Sequence, residues 1–183
     1  MDTRKQITTW VDTNREDLIE TANEIFKHPE ISLEEKTSSK ILADYLEKQG
    51  FTVTWGIAGF ETAFVAEWGY GKPVLGFLAE YDALPGLGQE TCSTRKAIEG
   101  PGHGCGHNLL GTACAGAAGA LKSWMETEEK EGTIRVYGCP AEEIVIGKIR
   151  MNEAGVFDDL SAAITWHPFD RNRVSYDIWQ AQD

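Results

Sequence analysis

The sequence predicts an α/β fold, a three-layer sandwich built on a mixed, mostly parallel sheet. Three observations predict it. Apolar residues recur at helical spacing over several long stretches. Short β-rich runs, bounded by glycine and proline, lie between those stretches. The two kinds of segment then alternate along the chain, as they do when helices cover a sheet.

Taken in order, Ile7, Trp10, Val11, Leu18, Ala22, Ile25 and Phe26 mark one amphipathic helix, which His28-Pro29 ends. Ser32 followed by Glu35 reads as a capping box opening a second helix, whose buried face is Ile41, Leu42, Tyr45 and Leu46 and which Gly50 stops. Strands are predicted at Phe51 to Trp55, Thr62 to Trp68 and Val74 to Leu78. The run Val74-Leu75-Gly76-Phe77-Leu78-Ala79 is apolar without alternation, so it is a strand covered on both faces, and it leads directly into Glu80 and Asp82. After a glycine-rich loop, Leu110, Ala113, Cys114, Ala117, Leu121, Trp124 and Met125 form one face of a long helix. Thr133 to Gly138 is a further strand, a helix through Ile149 and Ala154 runs to Gly155, and Ala162 to Trp166 is a last strand ending at His167.

Composition narrows the function classes. A net charge of -12 with only 17 basic residues in 183 argues against nucleic acid or an anionic membrane surface as a partner. The most apolar long segment, Leu109 to Leu121, is diluted by Gly111, Gly116 and Gly119 and is too short for a bilayer span. Cys92, Cys105, Cys114 and Cys139 lack the spacing of a disulfide framework, and the N-terminus lacks a basic-then-apolar signal segment. Both fit a cytoplasmic protein.

Ligand chemistry concentrates in Pro101-Gly102-His103-Gly104-Cys105-Gly106-His107-Asn108, where glycines let the backbone close around a thiol and imidazoles. Glu142 and Glu143 follow one predicted strand, His167 another, and Glu80 and Asp82 a third. In open α/β sheets, sites form outside the carboxyl ends of strands, so these scattered residues converge on one crevice. Taken singly, each has an ordinary structural reading. Cys105 alone is a buried thiol, the acid pair a helix N-terminus, His167 a satisfied core histidine, and His103 a residue that shapes the turn or orients a ligand. A structural zinc module through His103, Cys105 and His107 lacks the second ligand pair such sites use. A Cys105 nucleophile assisted by His107 is hard to arrange within one tight turn, and neither alternative uses the acids after Pro140.

The strings Tyr81-Asp82-Ala83-Leu84-Pro85, Gly102-His103-Gly104-Cys105-Gly106-His107-Asn108-Leu109-Leu110-Gly111 and Pro140-Ala141-Glu142-Glu143 resemble the amidohydrolase branch of the M20 metallopeptidase family. Within that branch, Asn108 and the Trp166-His167-Pro168 ending are most similar to the aminobenzoyl-glutamate hydrolase group. The resemblance implies an amide hydrolase with two divalent ions, zinc or manganese, acting on a small N-acyl amino acid of the aminobenzoyl-glutamate kind. It implies Cys105, His107, Glu143 and His167 as metal ligands, Glu142 as general base and Asp82 as a supporting acid. Glu80 stands where relatives usually carry aspartate or histidine, which leaves its role open. Residues 1–183 then correspond to the N-terminal part of a catalytic domain, with the family's lid and dimerisation domain, its remaining sheet and a last histidine ligand expected outside them. In the full-length family a homodimer or heteromer is expected. The alternative is a metal-binding piece that is inactive alone or completed by another chain, or a different M20 peptidase specificity.

Overall fold

The computed structural model describes residues 2–171. Three helices lead the chain: α1 (Thr3–Thr13), α2 (Arg15–Lys27) and α3 (Lys36–Lys48). They are followed by β1 (Thr52–Trp55), β2 (Phe64–Tyr70) and β3 (Val74–Glu80), then by α4 (His107–Thr127), β4 (Gly132–Cys139), α5 (Gly147–Glu153) and β5 (Ala162–Ile164). The sheet order is β1-β2-β4-β3-β5. It is mixed as expected: β1 and β4 flank β2 antiparallel, whereas β3 runs parallel to both β4 and β5.

The period of two along the strands separates two apolar layers. Phe64, Ala66, Phe77, Ala79, Ile134 and Val136 face α2, α3 and α4, where they meet Ile25, Leu42, Leu46, Leu110 and Ala118. Tyr137 and Cys139, with Val65 and Leu78, face the opposite way and are covered by Met151 of α5 and by Val156, Phe157 and Leu160. This second cover is thinner, and β5 at the sheet edge is exposed along its length. No helix among the described residues is long and apolar enough to cross a membrane.

Three local expectations are corrected. The first predicted helix is two, broken at Asn14, whose side-chain amide donates to the Trp10 carbonyl at 2.8 Å. A short amide that bonds its own preceding turn competes with the helical ladder, while the apolar spacing continues in phase across the break. The capping box is not formed. Helix α3 starts at Lys36, and the carboxylate of Glu30 accepts from the Thr37 and Ser38 N–H groups at 2.9 and 2.8 Å. Ser32 instead donates to Asp82, and Glu35 is drawn inward. The last strand ends at Ile164 rather than Trp166, so His167 projects from the loop after it.

Candidate metal centre

The crevice lies where β3, β4 and β5 end and α4 begins. Helix α4 opens at His107, preceded by Gly106 at φ 80°, a left-handed conformation that turns the loop sharply and suits glycine. Gly111, one turn further on, lets the helix lie against the end of β3: a Cβ there would sit 2.5 Å from the Glu80 carbonyl oxygen. Close approach of α4 and β3 thus brings His107 beside Glu80 and Asp82.

His107 is fully buried. Its Nδ1 lies 2.9 Å from Asp82 Oδ1 and 3.0 Å from the Asp82 carbonyl oxygen. Both partners are acceptors, so Nδ1 carries the proton and donates. Asp82 is held in turn by the Ser32 hydroxyl at 2.7 Å and the Glu143 N–H at 3.0 Å. Burial pushes the Asp82 carboxyl up, but the bonds from His107, Glu143 and Ser32 outweigh it and hold the group below the usual carboxylate range.

The other ring nitrogen is the informative one. His107 Nε2 is buried without a hydrogen-bond partner, yet Glu80 Oε2 and Glu142 Oε2 lie 3.2 and 3.6 Å away. A bare lone pair facing two carboxylates is repelled unless a proton or a metal cation stands between them. Burial lowers the His107 pKa, but Asp82 and the surrounding acids raise it more, with a net upward shift. Glu143 Oε1 is likewise buried without a hydrogen-bond partner, 3.8 Å from Nδ1. Burial, the larger cause, raises the Glu143 pKa.

On the far side, Cys105 Sγ lies 3.0 Å from His167 Nε2. His167 Nδ1 is 2.9 Å from the Pro168 carbonyl, which makes Nδ1 the donor and turns the Nε2 lone pair to the thiol. Burial and the nearby Glu143, Glu142 and Glu80 push the Cys105 thiol up to about 12. A cation would invert this preference, because thiolate is the liganding form.

Two ligand groups therefore form around His107: Cys105 with His107 and His167, and Glu80 with His107 and Glu142, the ligand atoms of each group within 4.8 Å of one another. Nitrogen, sulfur and carboxylate donors of this kind, with orphaned ligand atoms at the centre, fit a divalent ion. The crevice brings together all six predicted site residues. Glu143 sits nearer Nδ1 and Asp82, whereas Glu142 approaches Nε2. His103 stands apart, with Nε2 donating to the Ile25 carbonyl at 3.2 Å. Burial pushes its pKa down to about 4.

Two contributors escaped the sequence reading. Glu35 is fully buried and accepts at Oε1 from the Leu33 and Ala141 N–H groups, both at 2.8 Å, and at Oε2 from Thr62 at 3.1 Å. It thereby fixes the residue before the acid pair, Ala141, in a left-handed conformation at φ 56°. Lys148, in the first turn of α5, pairs with Glu80. For Lys148 the signal was Glu80, an acid closing an apolar strand, which requires a partner; Glu35, between Glu34 and Lys36, carried no such signal.

The Peptidase family M20/M25/M40 model matches residues 76–178. The chain belongs to this family. It is 48% identical over 161 residues to a subunit of the p-aminobenzoyl-glutamate hydrolase of Escherichia coli (strain K12), covering 86% of this chain and 34% of that protein. It is 33% identical over 164 residues to the Xaa-Arg dipeptidase of Homo sapiens, covering 81% and 34% respectively. Among solved structures it resembles the Bacillus subtilis YXEP protein, described as a dinuclear metal binding peptidase from the M20 family. That match has a TM-score of 0.65 and 27% identity, and covers 83% of this chain and 42% of that one. The M20 chain thus spans about a third of the length of the curated relatives it matches.

Proposed function

We propose that this M20 chain carries the metal-binding and proton-transferring part of an amidohydrolase site that cleaves the amide bond of an N-acyl amino acid. The observation that carries this reading is the bare Nε2 of His107, buried between a thiol–imidazole pair and two carboxylates. Cys105, His107, Glu143 and His167 are assigned as ligands to a centre of two divalent ions, zinc or manganese, with the thiol favouring zinc. When bound, such ions polarise the scissile carbonyl and lower the pKa of the attacking water.

The chain's own residues supply orientation and proton transfer. Asp82 fixes the His107 tautomer and ring direction, as acidic partners of ligating histidines commonly do. Glu142, whose side chain is 35% exposed, faces the crevice where water and substrate enter. It accepts the proton of the attacking water at a carboxylate oxygen and delivers it to the leaving amine. The likeness to the p-aminobenzoyl-glutamate hydrolase of Escherichia coli supports an aminobenzoyl-glutamate-like substrate, and that relative's description as one subunit of the enzyme supports the heteromer among the expected assemblies. The four free cysteines support a cytoplasmic setting.

The test is hydrolysis of p-aminobenzoyl-glutamate and a panel of N-acyl amino acids by the zinc- or manganese-equilibrated chain and by Glu142→Gln. Release of the free amino acid, reduced about 100- to 10,000-fold in the variant, supports the assignment. Equal rates in both proteins contradict it. Stoichiometric metal without hydrolysis in either assigns the chain a binding role within a larger assembly.

A further inference from the structure

The pair formed by Glu80 and Lys148 has no part in the proton transfer described above. Glu80 ends β3 and is buried, and Lys148 Nζ donates to its Oε1, leaving Oε2 3.2 Å from His107 Nε2. Glu80 is therefore held between an ammonium on one side and the imidazole on the other.

His107 Nδ1 is committed to Asp82, so Nε2 is the one ligand atom this ring has free. Both candidate groups contain His107: Cys105 and His167 complete one, and Glu80 is the carboxylate that the other adds, beside Glu142, the base assigned above. A single lone pair serves one ion at a time, so the groups compete for it. They differ in charge environment. The carboxylate group has a fixed ammonium bonded to one of its own oxygens, whereas the thiol group has none among the described ion pairs. An ion entering beside Glu80 would meet Lys148 at close range and would share a carboxylate already half occupied.

We propose that Lys148 is a positioning residue that sets the order of metal loading: it holds Glu80 and directs the first divalent ion to Cys105, His107 and His167. The inference rests on the reading of this crevice as a metal centre. A merely structural role, neutralising a buried acid, would change stability but not which ligands the first ion meets.

Cobalt(II) titration of the metal-free chain separates these roles, because cobalt bound to thiolate has a near-ultraviolet charge-transfer band that carboxylate-bound cobalt lacks. In the wild type the band should reach full height within the first equivalent. In Lys148→Met the first equivalent should give at most about half that band, the remainder following with the second, because oxygen ligands then compete for the ion. Lys148→Arg should restore the wild-type order. Should Lys148→Met fail to fold, Lys148→Gln, which keeps a donor to Glu80 without the charge, should show the same delay. A neutral variant whose band saturates with the first equivalent overturns the inference alone. A wild-type chain with no thiolate band overturns the metal-centre reading and the inference with it.

Discussion

Glu35 is the test of how the acid pair is held. Replacing it with alanine leaves the buried Ala141 N–H without the acceptor that Oε1 provides, and removes the partners of Thr62 and of the more exposed Leu33 N–H. The stranded buried amide of Ala141 costs about 1–3 kcal/mol, while the Leu33 N–H can reach water and the hydroxyl can turn elsewhere, so Glu35→Ala should lose about 2–4 kcal/mol once the void is included. Glu35→Gln keeps a carbonyl for both amides and removes a buried charge; its cost should be under about 1 kcal/mol. Urea unfolding at neutral pH, followed by circular dichroism, measures both. The pH dependence has a definite sign. Burial raises the Glu35 carboxyl above its ordinary value despite its hydrogen bonds. Its contribution is therefore full below the unfolded-state pKa of about 4.3 and is lost as pH rises through the folded value. Acidification should shift the stability difference towards the wild type relative to Glu35→Gln. Glu35→Ala within about 1 kcal/mol of wild type, Glu35→Gln as costly as alanine, or a slope of opposite sign would refute the reasoning.

Further outcomes follow from the same contacts. Asp82→Asn should weaken zinc binding about 10- to 100-fold in calorimetric titration, because the neutral amide removes the carboxylate charge that strengthens the His107 Nδ1–H bond and makes Nε2 a better ligand. Gly111→Ala should destabilise the fold by about 1–3 kcal/mol in urea unfolding, since the added Cβ meets backbone, the Glu80 carbonyl oxygen, at 2.5 Å. With the Cys105 thiol pushed up to about 12, zinc uptake near neutral pH should release a proton from it, measurable with an indicator in weak buffer. Affinity should accordingly fall by about tenfold per pH unit on acidification for that proton alone.

The order of layers was legible in the sequence because apolar spacing and glycine punctuation act locally. The convergence of the polar residues was legible because residues after strand ends meet whatever the exact loop path, which is how Asp82, Cys105, His107, Glu142, Glu143 and His167 came to share one crevice. Local hydrogen-bond partners were not legible. Ser32 and Glu35 have capping-box spacing, but burial against Asp82 and Ala141 offered them tertiary partners that outcompeted the helix end. Likewise, Lys148 has ordinary helix-surface chemistry in one dimension, and only the parallel register of β3 beside β4 brings Glu80 within its reach.

The most direct test of the central claim is the metal content of the wild-type chain and of His107→Ala after equilibration with zinc and removal of unbound ion, measured by elemental mass spectrometry. A metal centre built on His107 predicts stoichiometric zinc in the wild type and its loss in the variant, with the variant still folded by circular dichroism. A wild type that retains no zinc, or a folded His107→Ala that retains as much as the wild type, would contradict it.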